Sequence, residues 1–407
     1  MTATKLLIAD YIYTPDGFVS DQAIAFDTQI LAIDTPVHLA ERYPDAERIR
    51  TLPHTVLYPG LINSHVHLEF SANRTELTYG DFMAWLDSVI EQRDELVGRC
   101  DNATMTAATE SMLRSGITSF GAISSFGGDL EVCRRTPQRV TYYNELIGSS
   151  AAAADMLYGD FLERLKHSLH ADPDDRIRPA IAIHAPYSVH PVLLHKAIAL
   201  AREKELPLST HFLESPAERE WLESHAGGFL GFFQKFFATD KAVTSIDEFL
   251  HAFDRYPTLF VHCTQTSPSE RAHLARHGHT VAHCPRSNRL LGCGRLPIED
   301  LETALSLATD GLSSNWSLNL WDEMRAALML HHQAPLEKLA ERLIRSVTSD
   351  AAQAIGSDAG RLEAGAPADL IAITLPDAVE TPGQLALHSI LHTDEASHVY
   401  IDGDRVR

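Results

Sequence analysis

Apolar and polar positions along the chain fall into three regimes. From residue 5 to residue 57, short apolar runs alternate with turns: 5–13, the turn Thr14-Pro15-Asp16-Gly17, then 22–26 and 29–33. Runs of aliphatic and aromatic residues bounded by Gly, Pro and Asp read as strands. The end of the chain has the same character at 368–373 and 398–406. Strand-rich ends around a different middle predict one small β domain made of 1–57 plus 358–407, with 58–357 inserted between them.

In the middle, apolar strands alternate with helix-like stretches. Candidate strands are 55–64, 117–122, 139–146, 178–184, 206–211, 258–262, 280–283 and 304–309; helices are expected at 81–97, 103–114, 191–204, 268–276 and 297–303. Repeated β–α units over such a length predict a (β/α)₈ TIM barrel, class α/β. A doubly wound open sheet fits less well, because no Gly-x-Gly-x-x-Gly follows the first strand. The connection after His211 is long and aromatic at 227–237. It reads as a lid or subpocket, or as a helix packed on the barrel or on another subunit.

In a barrel, chemistry gathers where strands end and the following loops begin. The first strand ends on His65 and His67, which share a face because they are two residues apart. The fourth ends on His184; the fifth on His211, with Glu214 three residues on; the sixth on His262; the seventh on His283; the eighth on Asp310. Singly, each histidine has an ordinary reading as a satisfied core residue, and His-x-His alone is a weak signal. Recurrence at one end of successive strands is harder to explain as core filling, since every buried polar group needs a partner. Converging imidazoles suit a borderline-soft divalent ion such as zinc.

Composition narrows the partners. The 407 residues carry 34 basic and 55 acidic side chains, a formal charge of −21. That balance argues against a nucleic-acid backbone or an anionic membrane surface. Five widely spaced cysteines without a Cys-x-x-Cys pair read as reduced thiols, and no signal peptide or membrane-length apolar run is evident, so a cytoplasmic protein is expected.

The motifs Pro59-Gly60-Leu61-Ile62-Asn63-Ser64-His65-Val66-His67, His211-Phe212-Leu213-Glu214, Val261-His262, Val281-Ala282-His283-Cys284-Pro285-Arg286-Ser287-Asn288 and Ala308-Thr309-Asp310-Gly311, with Gly365-Ala366-Pro367-Ala368-Asp369-Leu370, resemble the amidohydrolase superfamily in its mononuclear deaminase branch. The resemblance implies that the terminal strands form a composite β-sandwich. It implies one divalent metal ion, zinc first and iron second, held by His65, His67, His211 and Asp310. It also implies Glu214 as proton shuttle and His262 as a contact of the reacting ring or the water. Binuclear relatives carry a lysine at the end of the fourth strand; here Arg178-Pro179-Ala180-Ile181-Ala182-Ile183-His184 has none. The tripeptide His67-Leu68-Glu69 mimics another zinc-deaminase motif, but the Pro-Cys-x-x-Cys which that class requires is missing.

The segments 65–73, 79–90 and 212–222 look like the aminodeoxyfutalosine deaminases of menaquinone biosynthesis, which implies a purine nucleoside substrate. Glu69 and Asn73 are then candidates for ribose hydroxyls, Trp85 or Phe70 for packing on the base or an aromatic tail, and His184 and His283 for further substrate contacts. Arg286 is a candidate for a substrate carboxylate or for a surface role. Methylthioadenosine, S-adenosylhomocysteine, adenosine or another aminated heterocycle are alternative substrates. A non-catalytic barrel scaffold is the reading from a different class, disfavoured because every implied ligand is present. A homodimer is compatible with the sequence.

Overall fold

Gly60 is the joint between two sheets. The run 55–64, expected as one strand, is two: Thr55–Pro59 belongs to a six-stranded sheet and Leu61–Val66 opens an eight-stranded one. A Cβ on Gly60 would lie 2.0 Å from Thr118 Oγ1, so no side chain fits where the backbone crosses from one sheet to the other. The structure, a computed structural model, describes residues 3–72, 75–170 and 176–407.

The eight-stranded sheet is the expected barrel. Its strands are Leu61–Val66, Ile117–Ser124, Arg139–Leu146, Ile177–Ile183, Leu208–Phe212, Leu259–His262, Thr280–His283 and Leu305–Leu307, each parallel to the next. Between the eighth strand and the first, side chains make the closure. Ser64 and Ser306 hydroxyls lie 2.8 Å apart, Asn63 Nδ2 donates to Thr309 Oγ1 at 2.7 Å, and Asp310 N donates to His65 O at 3.2 Å. These contacts place Asp310 beside the first strand.

Helices start where the local chemistry caps them. Asp81 accepts from Ala84 N ahead of Phe82–Arg99, and Ser215 and Ser267 cap Pro216–Ser224 and Pro268–Arg276, each with proline in the first turn. The helix expected at 297–303 is only a 3₁₀ turn, Ile298–Asp300; Pro297 supplies no N–H, and the chain returns to extended geometry at Leu301.

Both termini build the remaining sheets. A four-stranded sheet runs Ile30–Asp34, Ala23–Phe26, Lys5–Ile8, Glu47–Arg50. The six-stranded one runs Asp404–Arg405, His398–Ile401, Leu370–Thr374, Thr55–Pro59, Tyr11–Thr14, Gly17–Ser20. The expected strand 5–13 is therefore split between two sheets. Leu7, Ile24, Phe26, Leu57, Leu370 and Tyr400 form the apolar core shared by the two sheets, a sandwich contributed by both ends of the chain.

One ion pair fastens this sandwich to the barrel. Arg139, which begins the third barrel strand, donates from Nε to Asp369 Oδ2 at 2.7 Å and also pairs with Asp402. Asp369 is fully buried, and its main-chain carbonyl accepts from Gly60 N at 2.9 Å. Removing one partner strands the other charge. Arg139→Ala should lower unfolding free energy by about 3–5 kcal/mol. Urea unfolding checks this, and an unchanged midpoint would mean the pair is not a fastening.

Candidate active site

His65 lies in the first barrel strand and His67 just beyond it, and their Nε2 atoms face each other at 3.1 Å. Asp310 Oδ1 stands 3.7 Å from the first and 3.5 Å from the second. From the end of the fifth strand, His211 joins them; ligand nitrogens of His65, His67 and His211 all lie within 4.8 Å of one another. His211 donates from Nδ1 to the His184 carbonyl at 2.8 Å, which leaves its Nε2 lone pair for another partner. Asp310 uses its other oxygen to accept from Ser287 Oγ (2.8 Å) and Ser314 Oγ (2.7 Å), so Oδ1 is aimed at the imidazoles.

The electrostatics favour a cation. Burial, reinforced by His65, lowers His67 to about 4, and burial with the neighbouring imidazoles holds His211 well below the usual histidine range. Burial alone would raise Asp310, but the facing His65 and the nearby His67 and His262 hold it well below the carboxylate range. Imidazole lone pairs beside one carboxylate are the donor set that a divalent ion takes. Among the described residues, the Nδ1 atoms of His65 and His67 are buried without a hydrogen-bond partner.

Glu214 and His262 stand next to this cluster. Glu214, His262 and Asp310 offer ligand atoms within 4.8 Å of one another, with His262 Nε2 3.5 Å from Glu214 Oε1. Asn288 Nδ2 lies 2.9 Å from His262 Nδ1 and donates to it, turning Nε2–H toward Glu214. Burial, then the charges of Asp310 and Glu218, push the Glu214 carboxyl well above its ordinary range. The backbone here is left-handed at Leu213 (φ 48°), His262 (70°), Cys263 (52°) and Asp310 (57°). Such conformations cost non-glycine residues of order 1–3 kcal/mol each and are found where a site over-determines them. Glu218 is one of the restraints: its carboxylate accepts from Leu213 N at 3.0 Å and Glu214 N at 2.7 Å.

The cluster borders a cavity of about 790 Å³, lined by His67, His184, His211, Glu214, His262 and Asp310 and, beyond them, by Phe70, Trp85, Leu86, Val89, Phe126, Phe232 and Phe237. Trp85 is anchored by its Nε1 donating to Ser313 O at 2.9 Å. His184 Nδ1 sits 2.5 Å from Ser188 Oγ, and its ring lies 5.0 Å from that of His211. The aromatic connection forms the helix Gly228–Phe237, which packs within the chain and also borders the cavity. Phe229 and Phe233 pack on Tyr187 and Trp221, while Phe232, Phe233 and Phe237 reach the cavity.

Three expected contacts are placed elsewhere. Glu69 is buried away from the cavity lining, and its carboxylate accepts from the main-chain N–H groups of Ser125, Phe126 and Gly128; it shapes a loop. His283 is fully buried, pairs through Nε2 with His331 Nε2 at 3.1 Å, and does not line the cavity. Arg286 is neither a surface residue nor a cavity residue: its side chain is 1% exposed and donates to Glu323 at 2.7 Å. Asn73 lies outside the described residues. Sequence reasoning passed over Glu145 on the third strand, which lines the cavity, accepts from Ser125 Oγ at 2.5 Å, and groups with His184 and His211. It also passed over Glu218; the Ser215-Pro216-Ala217-Glu218 cap beside Glu214 was the signal available.

A model of the amidohydrolase family matches residues 56–406. The chain belongs to this family. It is 42% identical over 394 residues, covering 97% of both chains, to the aminodeoxyfutalosine deaminase of a Nitratiruptor species. It is 33% identical over 402 residues, 95% of both, to the adenosine deaminase of Helicobacter pylori. The crystal structure of Helicobacter pylori aminofutalosine deaminase in complex with methylthio-coformycin superposes with a TM-score of 0.94 at 31% identity, covering 99% of this chain and 100% of that one. Family and relatives together make this chain a hydrolytic deaminase. Among the described residues, no helix is long and apolar enough to cross a membrane.

Two buried carboxyls give the deaminase a pH signature. Burial raises Glu218 from 4.5 to about 7, and burial with the charge of Asp129 raises Glu69 to about 8. The folded protein therefore holds these protons more tightly than the unfolded chain does. Their stabilising contribution is full below the unfolded value of 4.5 and is lost as pH rises through about 7 to 8. Thermal midpoints across this range should fall in the wild type and fall less steeply in Glu218→Gln. Identical slopes in the two proteins would contradict the assignment to Glu218.

Proposed function

We propose that the deaminase converts the adenine of 6-amino-6-deoxyfutalosine to hypoxanthine with release of ammonia, as a cytoplasmic step of menaquinone biosynthesis. The observation that carries this reading is the shape of the site. Donor-rich residues border a cavity of about 790 Å³ whose other walls combine aromatic and aliphatic side chains with Arg93, Asp160, Glu163 and Arg164, a size toward the upper end of the roughly 300–1,000 Å³ typical of ligand pockets. A purine at the donor-rich wall leaves room for a large 5′ substituent with aromatic residues to pack on. The activity named for the Nitratiruptor relative, aminodeoxyfutalosine deaminase, agrees.

His65, His67, His211 and Asp310 would hold one divalent ion, zinc before iron. The burial that holds His67 and His211 below the usual histidine range, the His211 tautomer and the aimed Oδ1 of Asp310 support this set. When bound, such an ion acidifies water and supplies a nucleophile at neutral pH. Glu214, with its strong hold on a proton, would take one from the water and deliver it to a ring nitrogen. His262, fixed by Asn288, would orient the groups around Glu214. His184, held by Ser188, and Trp85, held by Ser313, are in place to contact the purine. The division into a terminal β domain (1–57 plus 358–407) and a barrel domain (58–357) is proposed on the same footing, supported by the change of sheet at Gly60.

A second reading, with adenosine or methylthioadenosine as the main substrate, is favoured by the Helicobacter pylori adenosine deaminase and the methylthio-coformycin complex. The 5′ substituent decides between them. Tail binding that persists in the transition state raises kcat/KM tenfold for each ~1.4 kcal/mol. Aminodeoxyfutalosine should therefore be deaminated with higher kcat/KM than either smaller nucleoside, followed by the ultraviolet change from adenine to hypoxanthine. Equal or better turnover of adenosine would transfer the assignment to the broader reading.

Two variants test the assigned roles. Glu214→Gln should keep fold and metal content but lose roughly 10²–10⁴-fold in turnover; wild-type turnover would remove Glu214 from the chemistry. His211→Ala should lose the ion retained through desalting, read by elemental analysis, and an unchanged metal content would remove His211 from the ligand set.

A further inference from the structure

Away from the cavity lining, the helices that flank the sixth barrel strand carry a second group of ligand-type side chains. His251 belongs to the helix Ile246–Ala252, Asp254 to the turn after it, and His273 to the helix Pro268–Arg276. The three offer ligand atoms within 4.8 Å of one another. Asp254 Oδ2 lies 3.1 Å from His251 Nδ1, and Asp254 Oδ1 lies 2.7 Å from His273 Nε2. A fourth imidazole, His277, stacks on His273 at 4.4 Å and sits with Nδ1 2.8 Å from the main-chain oxygen of Asp254, fixing the turn that carries the carboxylate.

We propose that His251, Asp254 and His273 form a second binding site for a zinc-like divalent ion, separate from the catalytic cluster. Two imidazoles and a carboxylate from three segments, already converged, are the donor types that zinc takes at about 2.0–2.2 Å, with water able to complete a tetrahedron. Without an ion, the ring nitrogens that face Asp254 must carry protons to satisfy it; an ion replaces those protons and lets the nitrogens turn their lone pairs inward. Access is open, because the His251 side chain is 58% exposed, while His273 at 10% gives the site a fixed inner wall. The donors come from two helices and the turn between them, so an ion here ties the helix before the sixth strand to the helix after it. The site is a tether, and it takes no part in deamination.

The test uses enzyme loaded with its catalytic ion and desalted. Zinc chloride titrated calorimetrically into this enzyme should reveal one further equivalent. In His273→Gln and in His251→Ala that equivalent should vanish or weaken roughly tenfold or more, since even outer partners of a metal site are worth 10–100-fold in affinity. The kcat/KM of both variants should match the wild type. Added zinc should raise the thermal midpoint of the wild type and leave that of His251→Ala unmoved. His251 is exposed, so its variant remains informative if His273→Gln does not fold. Absence of a further equivalent, or a further equivalent of unchanged affinity in His251→Ala, would overturn the proposal.

Discussion

The structure depends on holding one ionised carboxylate, Asp310, in a buried cluster of imidazoles, among which burial holds His67, His211 and His262 below the usual histidine range. That arrangement is unfavourable by itself: a buried charge without a compensating partner is costly. Several parts of the molecule are arranged to sustain it. Ser287 and Ser314 occupy one oxygen of Asp310 so that the other must face His65 and His67. The eighth strand is joined to the first through Asn63, Ser64 and the Asp310 N–H, which brings the carboxylate to the histidines. Left-handed backbone at Leu213, His262, Cys263 and Asp310 turns the side chains of three strand ends toward one place, and Glu218 braces one of those turns. A divalent ion would relieve this frustration, which ties affinity for the ion to the stability of the whole strand-end array.

Specificity, on the proposed reading, is separated from chemistry in space. The polar cluster occupies one part of the cavity, and the helices Phe82–Arg99 and Gly228–Phe237 contribute Trp85, Leu86, Val89, Phe232 and Phe237 to its other walls, with Arg93, Asp160, Glu163 and Arg164 among them. Related deaminases with different substrates can share the first part and differ in the second. Sharing of that kind follows from putting function on loops around a rigid barrel.

The barrel was legible because apolar runs, buried along their whole length, alternate with helix-like stretches, and the metal-type cluster because donors recur at strand ends. Where the reading failed, a tertiary partner decided the outcome. Continuous apolar character hid the sheet change at Gly60 and the split of 5–13, since hydrophobicity does not say which sheet a strand joins. Glu69 was read as a ribose contact from its nearness to His67, yet three main-chain N–H groups 56 to 59 residues away claim its carboxylate. His283 has the same strand-end position as His262, but His331 from a distant helix terminus turns it aside. Glu145 sits on the third strand next to an apolar residue and carried no motif, so only the folded cavity reveals it.

Anomalous X-ray diffraction at the zinc edge, from crystals of zinc-loaded protein, tests the central claim most directly. The account requires, within the barrel, a single strong peak within bonding distance of His65, His67 and His211 nitrogens and an Asp310 oxygen. Paired peaks bridged inside the barrel, or a peak seated on Glu145 and His184 with Asp310 uncoordinated, would contradict it.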